Sequence, residues 1–180
     1  MCGLFGIAGQ GILLKDLEVF QDLAVLSQVR GTDATGVVFG NNKQKPRVIK
    51  DVGNSLSFFN FLTKEEMRSL MSIGNNFIAG HVRKATRGKM GMEGAQPFAF
   101  DNVIGMHNGT LCGDFGSYHS DSEKLIHQLN DKPLEEVLPT LYNCDAAALV
   151  WYDRRDGTLH FYHDTLRDLY IAVNVDNSVI

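Results

Sequence analysis

The strongest constraint on this chain lies near its end. Two runs of strand-forming residues, 146–152 and Thr158–His163, flank Asp156-Gly157. Asp-Gly between such runs signals a hairpin turn, so at least part of the sheet is antiparallel. The pattern upstream adds strand-like stretches at residues 2–9, 37–40, 47–52, 77–82 and 102–106, and a last one at 169–175. Glycines in the first stretch, CGLFGIAG, let backbones approach closely. Asp16 is expected to cap a helix over 16–30, with Leu17, Phe20, Leu23, Ala24 and Ser27 along one side. A second helix is expected over 56–71. A third over 120–130 opens on a Ser120/Glu123 capping box, and a fourth over Leu134–Tyr142 follows the break at Pro133. Strands outnumber helices, and the helices come in two batches. The expected fold class is α+β, with helices on both sides of packed sheets.

Bulk properties narrow the function. A chain of 180 residues, 44% hydrophobic and 21% charged, fits one soluble domain over residues 1–180. The net charge is -4 with no Lys/Arg block, which argues against nucleic acid or an anionic membrane as partner. No apolar run approaches the ~20 residues of a membrane span. MCGLFGIAGQG lacks the charged and apolar regions of a signal peptide, so a cytoplasmic location is expected. Cys2, Cys112 and Cys144 are odd in number and contain no C-x-x-C, so neither a disulfide framework nor a zinc site is expected. Cys112 and Cys144 read as small, partly buried thiols.

Met1-Cys2-Gly3 carries more chemistry. Excision of Met1 leaves Cys2 with both a thiol and a free α-amine. A free thiol titrates near roughly 8.5 and an α-amine near roughly 7.7–8.0. At neutral pH part of the amine can take the thiol proton, so one residue supplies nucleophile and base. On these three residues alone, a cysteine that simply follows the start codon and packs in the first strand is the blander reading.

The wider pattern favours the chemistry. MCGLFGIAG, RGTDATG (30–36), GHVRKATRG (80–88), AQPF (95–98), HNGTL (107–111) and SDSE (120–123) occur in this order. Together they resemble the glutaminase domain of class II glutamine amidotransferases, over about residues 2–152. HVR, AQPF, HNG and SDSE look closest to the amidophosphoribosyltransferase branch, with glutamine–fructose-6-phosphate aminotransferase another branch of the same type. The resemblance implies an N-terminal-nucleophile hydrolase fold, a four-layer αββα sandwich of two mainly antiparallel sheets. It implies L-glutamine as substrate, hydrolysed to glutamate and ammonia through a γ-glutamyl thioester on Cys2, with no metal or organic cofactor. It further implies that the Asn108 amide and the Gly109 N–H form an oxyanion hole. Arg83 would grip the α-carboxylate of glutamine with Thr86 nearby, Asp121 would take the α-ammonium, and Arg30 would hold the N-terminal residue in place.

Each block also has a purely structural reading. Gly31 suits the C′ position after a helix, with Arg30 at the negative end of the dipole. A lone Arg83 is ordinarily a surface residue. Asn108-Gly109 is a common turn, and Gly109 permits an unusual backbone conformation. His107 reads as structural rather than as a base. Two positions depart from the family pattern: Lys84 stands where relatives usually have an aromatic residue, and Arg87 where they have His or a small residue. Relatives also usually carry a fused synthase. None follows here, so a truncated or minimal module, or a separate acceptor protein, is expected. Another N-terminal-nucleophile amidohydrolase, or an idle regulatory domain of this fold, remains an alternative. Arg83 with Asp121 speaks against the first, and intact Cys2, Asn108 and Gly109 against the second.

The active form is expected to begin at Cys2. Intact-mass analysis paired with a glutamine hydrolysis assay checks this, and full activity in protein that retains Met1 overturns it.

Overall fold

The computed structural model describes residues 2–41, 43–72, 74–88, 90–142 and 146–173. The first sheet contains β1 (Gly3–Ala8), β2 (Ala34–Asn41), β3 (Gln44–Val52) and β4 (Phe77–Arg83), in the spatial order β1-β4-β2-β3. The second contains β5 (Phe98–Ala99), β6 (Val103–Thr110), β7 (Ala146–Asp153) and β8 (Thr158–His163), in chain order. Every strand pair is antiparallel. Helices α1 (Leu14–Leu26), α2 (Ser55–Phe61) and α3 (Lys64–Leu70) belong to the first sheet's side, and α4 (Asp121–Asp131) and α5 (Leu134–Tyr142) to the second's.

Strand alternation sorts the side chains into three apolar layers. Val37 and Phe39 of β2 turn outward and meet Phe20, Ala24, Phe58 and Leu70. Leu149 and Trp151 of β7 turn outward and meet Leu125, Ile126 and Leu129. Val38, Phe77, Ala79, Ile104, Met106, Val150 and Tyr152 fill the space between the sheets. Phe77 stacks on Tyr152 there, ring centroids 4.9 Å apart. The result is the expected four-layer αββα sandwich. β4 and β7 are buried along their whole length because both of their faces are covered.

Several local expectations need correction. The first helix starts at Leu14, and Asp16 is not its cap. Asp16 sits two residues in, where its carboxylate accepts the Leu13 N–H at 2.8 Å. The α-helix ends at Leu26, and Ser27–Arg30 continues as a 3₁₀ turn. The expected helix over 56–71 is two helices. Thr63 breaks it by capping α3, with Glu66 returning the bond to the Thr63 N–H. At α4 only half of the expected box forms: the Ser120 hydroxyl accepts from the Glu123 N–H, but the Glu123 carboxylate takes the N–H of His119 instead. Residues 169–172 form no strand and Val173 only an isolated bridge, and the remainder of that expected element, like 177–180 and Cys144, lies outside the described residues. Cys112 is exposed rather than partly buried.

Gly31 is not a left-handed helix terminus, since its φ of 177° is extended backbone. Its requirement is steric: a Cβ there would lie 2.4 Å from the Arg83 carbonyl carbon and oxygen and 2.6 Å from the Lys84 nitrogen. The turn after α1 therefore touches the end of β4 backbone to backbone. Gly31→Ala should destabilise the fold by about 1–3 kcal/mol through this overlap. Urea unfolding checks it; stability equal to the parent's would show that the contact has room.

Candidate active site

The site lies at one end of the gap between the sheets. Gly3 pairs with Val82, so one residue further on Cys2 stands beside Arg83, the last residue of β4. The Arg30 side chain donates to the Cys2 carbonyl at 2.7 Å, so the 3₁₀ turn after α1 holds the start of the chain. The Lys84 backbone flanks the thiol: its N–H lies 3.4 Å and its carbonyl 3.6 Å from Cys2 Sγ. Burial pushes the Cys2 thiol up from its ordinary value. The Lys84 backbone and the Arg83 charge oppose that shift, and Asp121 reinforces it. The thiol is thus the resting form at neutral pH and needs a base to become a nucleophile.

Arg83 is buried, with 4% of its surface exposed, and is not a surface arginine. Its Nη2 donates to the Arg87 carbonyl at 3.2 Å. Asp33 secures the backbone around it: the Asp33 N–H donates to the Arg83 carbonyl at 2.9 Å, and its carboxylate accepts the Ala85 N–H at 2.8 Å. Thr86 lies exposed in the segment that follows. Asp121 opens α4 and is buried. One carboxylate oxygen accepts the Leu111 N–H and the other the Ser122 N–H, both at 2.9 Å. Asp121→Asn would therefore disturb a backbone contact as well as remove a charge. The proximity of both Arg83 and Asp121 to the Cys2 thiol brings together blocks far apart in sequence.

Asn108 and Gly109 do not form a turn. They lie inside β6, opposite Ala148 and Ala147 of β7. The Ala147 N–H and carbonyl both bond Asp164, on the β8 side, at 2.6 and 3.0 Å. Ala147 therefore has neither group directed at Gly109, whose own N–H and carbonyl turn away from β7. The same side of β6 is where His107 exchanges two bonds with the Gln96 side chain, at 2.7 and 3.1 Å. β5 reaches only Ile104 and Gly105, so it does not pair with Gly109. Asn108 faces the inter-sheet gap, on the same side as Ile104 and Met106. The glycine at 109 is required for close approach, not for positive φ: a Cβ would lie 2.1 Å from the Ala146 oxygen and 2.4 Å from the His107 ring.

Sequence reasoning singled out neither Asp33 nor Gln96 for a role. Each sat inside a quoted block, RGTD and AQPF, and the signal available was a polar residue beside a chemically important one. His107 faces α4, where its Nδ1 lies 2.9 Å from the Ser122 hydroxyl, and burial pulls its pKa down to about 4. A cavity of about 610 Å³ opens elsewhere, between β3 and the end of α4, and includes Lys45, His127 and Arg154 but none of the site residues. No helix among the described residues is long and apolar enough to cross a membrane.

The fold is the N-terminal-nucleophile sandwich, and by sequence the chain is related to the class II glutamine amidotransferases. It is 34% identical over 114 residues to an amidophosphoribosyltransferase of Pasteurella multocida, covering 62% of this chain and 21% of that protein. It is 34% identical over 113 residues to a glutamine–fructose-6-phosphate aminotransferase of Wigglesworthia glossinidia brevipalpis, covering 62% of this chain and 17% of the relative. An amidophosphoribosyltransferase of Mus musculus is 31% identical over 156 residues, 75% of this chain and 29% of the relative. The chain thus spans less than a third of the length of these relatives. No family model matches it. Among solved structures, the glutamine phosphoribosylpyrophosphate amidotransferase of B. subtilis superposes with a TM-score of 0.62 at 21% identity, over 91% of this chain and 37% of that one. A structure described as the allosteric regulatory enzyme of purine biosynthesis superposes at 0.61 and 24% identity, over 84% and 35%. These two likenesses establish the fold.

His81, on β4, supplies a test of burial at the site. It is fully buried, and burial lowers its pKa to about 3 against a weaker opposing contact with the His107 backbone. The unfolded chain binds this proton below about pH 6.5 and the folded chain does not, so stability falls as pH drops through that range. The contribution lost between pH 7 and pH 5 is about 2 kcal/mol. A His81→Gln variant should show a correspondingly shallower loss of stability over that interval, measured by denaturant unfolding at each pH. An unchanged slope would mean that His81 does not stay neutral in the fold.

Proposed function

We propose that the protein is a glutamine-hydrolysing amidotransferase domain whose nucleophile is Cys2, freed as the first residue by excision of Met1. The observation that carries this reading is a half-buried thiol at position 2 with Arg83 and Asp121 both within electrostatic reach. A guanidinium and a carboxylate that both act on one thiol suit the two ends of an amino-acid zwitterion bound beside it. The α-amine of Cys2 takes the thiol proton, and the thiolate attacks the side-chain carboxamide of glutamine. The Asn108 amide and the Gly109 N–H receive the oxyanion. Ammonia leaves, and water hydrolyses the γ-glutamyl thioester to release glutamate. The ammonia passes to an acceptor, on a separate protein or on a further part of the polypeptide. Thr86 adds a contact to the bound amino acid, and Arg30 keeps Cys2 in position.

Two outcomes follow. Asn108→Ala should lower kcat by about 10²–10³ while changing KM much less, because the donor acts mainly in the transition state. Steady-state kinetics with glutamine decides, and a kcat within about threefold of the parent removes Asn108 from the chemistry. Because the buried thiol stays protonated, activity should follow the amine: kcat/KM should fall as pH drops below about 8 and level off above it. A profile flat from pH 6 to 9 would rule out the α-amine as base.

A further inference from the structure

Residues 84–91 link the end of β4 to the 3₁₀ turn Met92–Gly94. Those of them that are described form no helix or strand and are exposed or half-buried. Such a segment is ordinarily loose, yet its backbone supplies two contacts of the site, Lys84 on the Cys2 thiol and the Arg87 carbonyl on Arg83. Something must hold it. Asp33 fixes its first residues through the Ala85 N–H. Gly88 lies tightly against the loop before α4, where a Cβ would stand 2.3 Å from the His119 oxygen.

Between these two anchors Arg87 crosses to the opposite wall. Its Nη1 donates to the Leu111 carbonyl, and its Nη2 donates to the Gly113 carbonyl at 2.8 Å. Its guanidinium carbon lies 5.6 Å from the centre of the Phe115 ring. No salt bridge joins it to a carboxylate among the described residues. Leu111 is thereby held at both of its peptide groups, the N–H by Asp121 and the carbonyl by Arg87.

We infer that Arg87 is a positioning residue that latches segment 84–88 to segment 111–115 and so sets the orientation of Arg83 before glutamine arrives. The side chain of Arg87 grips one wall while its own carbonyl receives Arg83 on the other, so the latch and the orientation of the Arg83 fork are one unit. Two carbonyls and a ring face match a planar guanidinium and not a point charge. A His or a small residue at this position is too short to span both carbonyls. The consequence is a preassembled binding end with little loop ordering left to be done on substrate binding. The inference rests on the reading of Arg83 as the carboxylate-binding group.

Kinetics with glutamine and amide hydrogen exchange on the full chain test it. Arg87→Ala should raise KM roughly tenfold or more and leave kcat within about threefold. Arg87→Lys should recover part of the lost binding. Exchange in 84–88 and 111–115 should speed up in Arg87→Ala while β4, β6 and β7 keep the parent's protection. If Arg87→Ala does not fold, Phe115→Leu keeps both carbonyl acceptors and should produce a smaller change of the same kind. A KM within twofold of the parent, a fall confined to kcat, or exchange that rises throughout the chain overturns the latch. A parent that fails to hydrolyse glutamine instead overturns the proposed function, and the local exchange pattern then decides the latch alone.

Discussion

The apolar contact between the inner faces of the two sheets is what the rest of the structure depends on. Stacked around Phe77 and Tyr152, it fixes how one sheet lies on the other. From that apolar centre each strand advances two residues at a time along the gap. On β4 the inner face passes from Phe77 and Ala79 to His81 and Arg83; on β6 it passes from Ile104 and Met106 to Asn108. The change from apolar to polar happens at the same end of both sheets. Arg83 is taken out of water there with a backbone carbonyl nearby as partner.

Other peptide groups at this end are held by charged side chains. Arg30 grips the Cys2 carbonyl, Asp33 the Ala85 N–H, Asp121 the Leu111 N–H, and Arg87 two carbonyls on the facing segment. Bonds with one ionised partner are stronger than neutral ones, which suits segments that have little apolar surface to bury. The site is therefore held on its strand side by packing and on its loop side by charged hydrogen bonds. Gly31, Gly88 and Gly109 allow the backbones to come close enough for this arrangement, each meeting a carbonyl oxygen or carbon at a distance no side chain could accept.

Much of this was legible in the sequence. The Asp156-Gly157 hairpin and the two batches of helices each carry a local signal, and the α+β layering followed from them. The ordered blocks pointed to Cys2, Arg83 and Asp121, which the fold brings to one place. What could not be read were matters of long-range contact. Asn-Gly at 108–109 has a strong turn propensity, but pairing with β7 on a buried strand overrides it. The split at Thr63 has a local signal in the Thr63/Glu66 capping box, which the expectation of one helix over 56–71 did not use. Asp16 looked like a cap because its type fits both the cap and the third helical position, and only the backbone geometry distinguishes them. Asp33 and Gln96 escaped because their partners lie 52 and 11 residues away, beyond any local pattern.

The short reach of β5 has a wider consequence. An unpaired strand edge is normally a hazard, since its exposed N–H and carbonyl groups invite another chain to add on. On β6 the β5 ladder stops at Gly105, the Gln96 side chain takes both backbone groups of His107, and Gly109 lies beyond them. Under the proposed chemistry, a neighbouring strand and a negatively charged oxygen would compete for the same donor. Lengthening β5 by a few residues would make a more regular sheet and extinguish the reaction. If that chemistry holds, sheet completeness and catalysis are opposed in this fold, and a β5 of only two residues leaves the ladder unfinished where the donor is needed.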